Sequence, residues 1–292
     1  MRIENKEGPK ARGLSQEPFD TGRHLIYTVI VGDYDRLKRP LWSPRSVDYV
    51  AFTSDYRSSH FRGWRIIPLP NKVSHPTEVN RKMKILGIDF AKSYRSAVYV
   101  DGSIQIVGSL REDISLFLNS GCALGVFRHR DRNTPWEELI ACQQFGHFSE
   151  EQFQFEENRL RPFQEKGIQL ALFDAGALMK NPLHESLELV TSRWFSLFSQ
   201  NPVRDQLSLP IVVWENQAMV HEFGHWADRL SPTLLRHPHR SSGLLIKATF
   251  SFGSLCPPLF QLLLKLKRQV LYLKSGWGMN YVCKKCSTLI KS

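Results

Sequence analysis

The chain has 292 residues, 42% of them hydrophobic, which suffices for one large domain or two small ones and excludes a chain too polar to build a core. Five cysteines, of which only Cys283 and Cys286 are close together, speak against a disulfide framework and for a reducing compartment. The formal charge of +11 is uneven: residues 226–292 hold eleven Lys and Arg against one acid, Asp228, so the basicity belongs to the tail.

Residues 1–23 are polar and rich in Gly, Pro and charge, and read as a disordered leader without the apolar run of a signal peptide. Residues 24–31, HLIYTVIV, form a buried-strand pattern followed by the turn residues Gly32-Asp33-Tyr34-Asp35. Residues 47–53 predict a second strand and 64–69 a third, stopped by Pro68 and Pro70. Over 78–94, Val79, Met83, Leu86, Phe90 and Tyr94 recur at helical spacing and predict one helix. The apolar run 97–100 then ends in Asp101-Gly102-Ser103. Further on, the pattern gives a helix near 110–119, a strand over 122–127, and helices over 136–145 and 150–165. Residues 170–180 read as a strand pair or a strand and turn centred on Asp174-Ala175-Gly176, with helices over 183–199 and from about 205. Alternating strands and helices favour an α/β fold with a mainly parallel central sheet.

After Arg240 the character changes. Residues 259–274 place Gln261, Lys265 and Arg268 on one helical face and leucines over much of the rest. That pattern suits a basic interfacial helix on an anionic membrane surface, and equally a helix packed on the domain with a solvated edge. The expected organisation is therefore a leader (1–23), a main domain (24–240) and a basic, partly amphipathic extension (241–292). No stretch offers about 18 uninterrupted apolar residues, the length a spanning helix needs. Trp277 and Tyr281 lie among lysines, but no recognition motif appears, so nucleic acid is not an expected partner.

Two constellations carry candidate chemistry. Asp101-Gly102-Ser103 ends a strand with a carboxylate at the C-terminal edge of the sheet, where open α/β sheets collect ligands, and glycine lets a ligand approach the backbone. A plain Asp-Gly turn explains the same residues. His221-Glu222-Phe223-Gly224-His225 is a formal His-Glu-x-x-His match; on a helix the two His would bind Zn²⁺ with Glu as base, the alternative reading of a zinc-dependent hydrolase. Cys283-Lys-Lys-Cys286 lacks a second Cys pair and reads as solvated tail.

Several ordered segments resemble a glycosyltransferase-like family that includes plant mucilage- and tapetum-associated proteins and bacterial polysaccharide-cluster proteins. They are YTVIVGDYDRL (27–37), VDYVAFTSD (47–55), GWRIIPLP (63–70), NRKMKILGIDF (80–90), YVDGSIQI (99–106), HRDRNTPWEELIACQ (129–143) and RDQLSLPIVVWE (204–215). The resemblance implies a GT-A type fold, with a Rossmann-like nucleotide-binding half merged with an acceptor half. It implies a nucleotide-sugar donor, while the particular donor and acceptor do not carry over; the expectation is transfer to a glycan or lipid-linked acceptor in surface polysaccharide synthesis, in the cytoplasm at the inner face of the membrane. Many such enzymes hold Mn²⁺ or Mg²⁺ on a loop with two aspartates one residue apart. Here Asp101 matches, Gly102 lies between, and Ser103 stands where the second acid is usual. Enzymes of this fold often take a late metal ligand from a C-terminal His, a role open to His237 or His239. Arg81 and Lys84 match basic positions suited to a diphosphate. His129 and Arg132 match a His-x-x-Arg stretch, and Glu138 just after is placed to orient an acceptor hydroxyl. Asp205 and Gln206 match an Arg-Asp-Gln segment, Asp205 as sugar contact or base, with a helix N-cap as the plain alternative. Gly176 belongs to a small-residue turn near the acceptor. Ser103 also leaves open a transferase-like scaffold without catalysis.

Overall fold

The computed structural model describes residues 23–54, 58–70, 75–225 and 233–237. The chain divides between Arg236 and His237 into two compact units; every element below belongs to the first.

An eight-stranded sheet organises this unit, in the order β3-β4-β2-β1-β5-β8-β7-β9. The strands are β1 (His24–Ile30), β2 (Val47–Thr53), β3 (His60–Phe61), β4 (Trp64–Pro68) and β5 (Ser96–Val100), followed by β7 (Leu124–Arg128), β8 (Phe173–Lys180) and β9 (Val220–His225). β1 runs parallel to both β2 and β5, β2 parallel to β4, and β7 parallel to β9; β3 and β8 run against their neighbours. The fold is therefore α/β with a mostly parallel sheet, as the alternation of patterns predicted. A separate two-stranded ribbon pairs β6 (Ile104–Ile106) with β10 (Leu234–Arg236).

Burial on both faces explains why β1 reads as a continuous apolar run. Along it, Leu25, Tyr27 and Val29 enter one core, and Ile26 and Ile30 the other. β5 alternates the same way, Ala97 and Tyr99 against Val98 and Val100. Helices α1 (Pro76–Leu86), α5 (Leu187–Gln200) and α6 (Asp205–Glu215) contact one another in series, and α6 also contacts β8. α5 shows why such a helix forms: Val190, Trp194, Leu197 and Phe198 recur on one buried stripe. The remaining helices are α2 (Arg111–Asn119), α3 (Pro135–Gln144) and α4 (Glu150–Glu165). The Ser149 capping box starts α4, and Thr134 caps α3 through the Glu137 N–H.

Three expectations are corrected. The single helix over 78–94 stops at Leu86, because Gly87 takes φ 88° and its N–H returns to the Met83 carbonyl; a short 3₁₀ turn over Asp89–Ser93 follows. Asp174-Ala175-Gly176 is no turn but the interior of β8, beside a register shift in the β7–β8 pairing. His221–His225 belongs to a strand, β9, not to a helix. A strand rises about 3.3 Å per residue, so residues four apart stand about 13 Å apart, and the one-turn spacing that brings two His to a zinc ion is lost. Glu222 pairs with Arg128, and the His221 ring stands edge-on to Phe223. The leader, Cys283, Cys286 and the extension 241–292 lie outside the described residues. Among the described residues no helix is long and apolar enough to cross a membrane.

Candidate active site

The chain runs from β1 outward to β2 and β4, then returns to place β5 on the other side of β1. The C-terminal ends of β1 and β5 therefore flank a topological switch point, where open α/β sheets form a ligand crevice. Asp101 leaves β5 at that edge. Its N–H donates to the Gly176 carbonyl (2.8 Å), and the Ile104 N–H returns to the Asp101 carbonyl (2.8 Å), closing a β-turn. The backbone turns here as the plain Asp-Gly reading expects, and the Asp101 carboxylate stays partly open to solvent. Gly102 is required by packing, since a Cβ there would lie 2.7 Å from Ile30 Cγ1 and 3.0 Å from Asp35 Cβ. Ser103 is 2% exposed.

A second acid meets Asp101 across one lysine. The Tyr99 hydroxyl donates to Asp101 Oδ1 (2.8 Å), and Lys84 Nζ is 3.8 Å from the same oxygen and 2.7 Å from Asp205 Oδ2. Arg81 Nε stands 3.2 Å from Asp205 Oδ1. The Lys84 and Asp205 side chains are both 2% exposed, while Asp101 keeps 29% of its side-chain surface open. Burial pushes the Asp205 carboxyl upward, but Arg81, Lys84 and Arg204 outweigh it and hold the group well below the ordinary carboxylate range. α1 aims this pair because Asn80 Nδ2 donates to the Val29 carbonyl at the end of β1 (2.7 Å) and Asn80 Oδ1 accepts from Arg81 Nη1 (2.6 Å). The start of α6 is fixed by Trp194 Nε1 on the Asp205 carbonyl (3.1 Å) and by Gln206 Nε2 on the Phe173 carbonyl (3.2 Å). Asp205 opens α6, but its carboxylate serves the two cations and does not cap the helix.

His129, Arg132 and Glu138 form a neighbouring network. His129 Nδ1 accepts from the Asp131 and Arg132 N–H groups (3.1 Å each), which fixes it as the unprotonated nitrogen. Burial pulls the imidazole below its ordinary value, against the opposing effect of Asp174. Glu138, 0% exposed, accepts from Arg132 Nε and from Arg204 Nε (2.8 Å). Burial raises its carboxyl, and Arg204 and Arg132 outweigh burial and keep it ionised. This acid, expected to orient an acceptor hydroxyl, is wholly buried and holds Arg204 beside Asp205.

Gly176 adds a third acid and a cation from far along the chain. Its N–H donates to Asp174 Oδ1 (2.8 Å), and Arg236 Nη2 donates to Asp174 Oδ1 and Oδ2 (3.0 and 3.2 Å). Burial raises the Asp174 carboxyl; Arg236 and the Gly176 N–H outweigh it and lower the net value. A Cβ at Gly176 would overlap Arg236 Nη2 and lie 3.2 Å from Asp101 Oδ2. The structure thus brings Arg81, Lys84, Asp101, Gly102, Gly176 and Asp205 to one edge, adds Asp174, Arg204 and Arg236, and keeps His129, Arg132 and Glu138 as a supporting network. Arg204 was visible in the Arg-Asp-Gln segment; Arg236 carried no sequence signal, because its partner lies 62 residues earlier.

The described donors do not fit a divalent cation. Ser103 is buried, Asp174 already holds Arg236, His239 lies outside the described residues, and no three His, Cys, Asp or Glu side chains among the described residues come together as a metal-binding group.

No protein-family model matches the chain, and no curated protein does. Solved structures do resemble it. Mouse xyloside xylosyltransferase 1 in its apo form is 12% identical, over 69% of this chain and 85% of that one, with a TM-score of 0.37. The glycosyltransferase GlyE of Streptococcus pneumoniae is 13% identical over 70% of this chain and 45% of that one, TM-score 0.36. Core-mannan synthase A of Aspergillus fumigatus, in an Mn/GDP form, is 10% identical over 69% and 72%, TM-score 0.38.

Proposed function

We propose that this chain is a GT-A type glycosyltransferase that binds a nucleotide-sugar at the C-terminal ends of β1 and β5. The observation that carries the reading is the placement of Asp101, partly open, at the topological switch point, with Lys84, Arg81 and Arg204 gathered behind it. The parallel strands β4-β2-β1-β5 form the nucleotide half, and β8-β7-β9 the half that faces the acceptor. In the transfer, the anomeric carbon–oxygen bond to the diphosphate breaks and its electron pair leaves with the phosphate oxygen. A bond forms to the acceptor hydroxyl oxygen, and the products are the glycoside, the nucleoside diphosphate and the acceptor's proton.

Each residue has a task set by its surroundings. Asp101 orients the donor. Arg81 faces the diphosphate. Lys84 is buried between Asp101 and Asp205 and fixes the angle of the first against the second. Asp205, held ionised by its cations, is a weak base and acts by positioning Arg81 and Lys84. Gly176 lets Asp101 and Arg236 approach from either side. A surface glycan or lipid-linked acceptor at the cytoplasmic membrane face is the companion proposal. The test is a thermal-shift and transfer assay of the full chain with nucleotide-sugars, wild type against Asp101→Asn. Donor-dependent stabilisation of the wild type, lost in the variant with folding intact, supports the reading. Equal transfer by both proteins refutes the role of Asp101.

A further inference from the structure

The β6–β10 ribbon begins directly after the Asp101-Gly102-Ser103 loop. Arg236 pairs in register with Ile104, two residues beyond Gly102, so β10 delivers its side chain to the edge where β5 ends. There its Nη2 sits on Asp174, and a position on Gly176 that one methyl would fill is bounded by Arg236 Nη2, Asp174 Oδ1 and Asp101 Oδ2 together. Asp174 is almost wholly buried, whereas 41% of the Arg236 side chain is open to solvent. A buried carboxylate thus steers a partly open arginine side chain to the side of Asp101. On α1, Arg81 faces Asp205, which shares Lys84 with Asp101. The second acid of a metal loop is replaced by a buried serine, and Asp174, which borders the same position on Gly176 as Asp101, already holds an arginine.

We propose that Arg236 supplies the positive charge beside Asp101, so that this site binds a nucleoside diphosphate through guanidinium groups without a divalent cation. A guanidinium offers paired donors that match phosphate oxygens, and its charge does not depend on pH in the working range. Asp174 sets the direction of that fork, and Gly176 leaves room for it. The inference rests on the proposed donor site and goes beyond it, because the family resemblance points instead to a bound metal.

The test is isothermal titration of the full chain with uridine, guanosine, adenosine and cytidine diphosphates in turn, in EDTA and then in Mn²⁺, and with the matching monophosphates. Arg236→Met and Arg236→Lys are compared with wild type, and melting temperatures are recorded alongside. We expect one diphosphate to bind wild type nearly equally in EDTA and in Mn²⁺. Arg236→Met should weaken it by at least about tenfold while monophosphate binding holds, with Arg236→Lys in between. Binding that requires Mn²⁺ overturns the inference and leaves the donor site standing. An Arg236→Met protein with a lower melting temperature but unchanged affinity also overturns it, because the arginine is then only a tie between β10 and β8. If no diphosphate binds under either condition, the donor site itself falls.

Discussion

Replacing Lys84 with Met removes the cation that joins the two acids. Lys84 Nζ is 2.7 Å from Asp205 Oδ2, and both side chains are 2% exposed, so the pair is desolvated and poorly screened. Removing one partner of a buried pair costs about 3–5 kcal/mol; because Arg81 still faces Asp205 at 3.2 Å, the lower end, about 3 kcal/mol, applies. For a domain of this size that lowers the melting temperature by roughly 6–12 °C. Asp205→Asn should cost a similar amount, because it leaves the Lys84 ammonium buried with Asp101 at 3.8 Å. The double variant Lys84→Met/Asp205→Asn should lose less than the two single losses combined, by about 1–3 kcal/mol, since neither group of the pair is then left buried opposite a missing partner. Urea unfolding of the four proteins at neutral pH measures all three quantities. A Lys84→Met loss below about 1 kcal/mol, or strict additivity, would refute the view that these two groups form one buried unit.

Other outcomes follow from the same geometry. Gly176→Ala should drive Arg236 off Asp174, weakening diphosphate binding, read by titration, more than it lowers the melting temperature. Gly102→Ala places a methyl 2.7 Å from Ile30 Cγ1, and overpacking of this kind costs about 1–3 kcal/mol, read by denaturant unfolding. Lys180 gives a pH signature. Its Nζ is buried against the Tyr27 hydroxyl and the Lys84 and Ile85 carbonyls, and burial pulls its pKa down to about 7. The unfolded chain keeps the proton up to about pH 10.5, so between those values the unfolded state binds more protons and stability rises with pH. Wild-type stability minus that of Lys180→Met should therefore climb between pH 7 and about 9.5, by up to about 1.4 kcal/mol per unit. A flat difference would mean that Lys180 is protonated in the folded chain throughout.

Much of the frame was legible because local patterns matched local structure. The doubly buried strands β1, β2 and β5 announced themselves as apolar runs, and the helices expected over 136–145 and 150–165 fall on α3 and α4. What escaped was set by tertiary context. Gly87 broke a helix whose apolar spacing continued unbroken into the next segment. Asp174, Ala175 and Gly176 look like a turn, but Gly176 is a glycine because Arg236, Asp174 and Asp101 crowd the place its side chain would take. The His-Glu-x-x-His pattern lost its meaning once β9 added to the sheet edge. At the site, Asp101 was readable as an acid ending a strand. Lys84 and Glu138 were readable as charged positions but not as buried ones, since a helix-face position does not tell which charged side chain the neighbouring helices will cover.

The most direct test of the central claim is a thermal-shift series of wild type and Asp101→Asn against nucleotide-sugars and nucleoside diphosphates, each run in EDTA and in Mn²⁺. A ligand that binds only the folded state raises the melting temperature in proportion to its saturation. The donor-site reading expects one nucleotide class to stabilise the wild type and to lose that effect in the variant, whose unliganded melting temperature stays close to wild type. No stabilisation of the wild type by any nucleotide, with or without the metal, would contradict it.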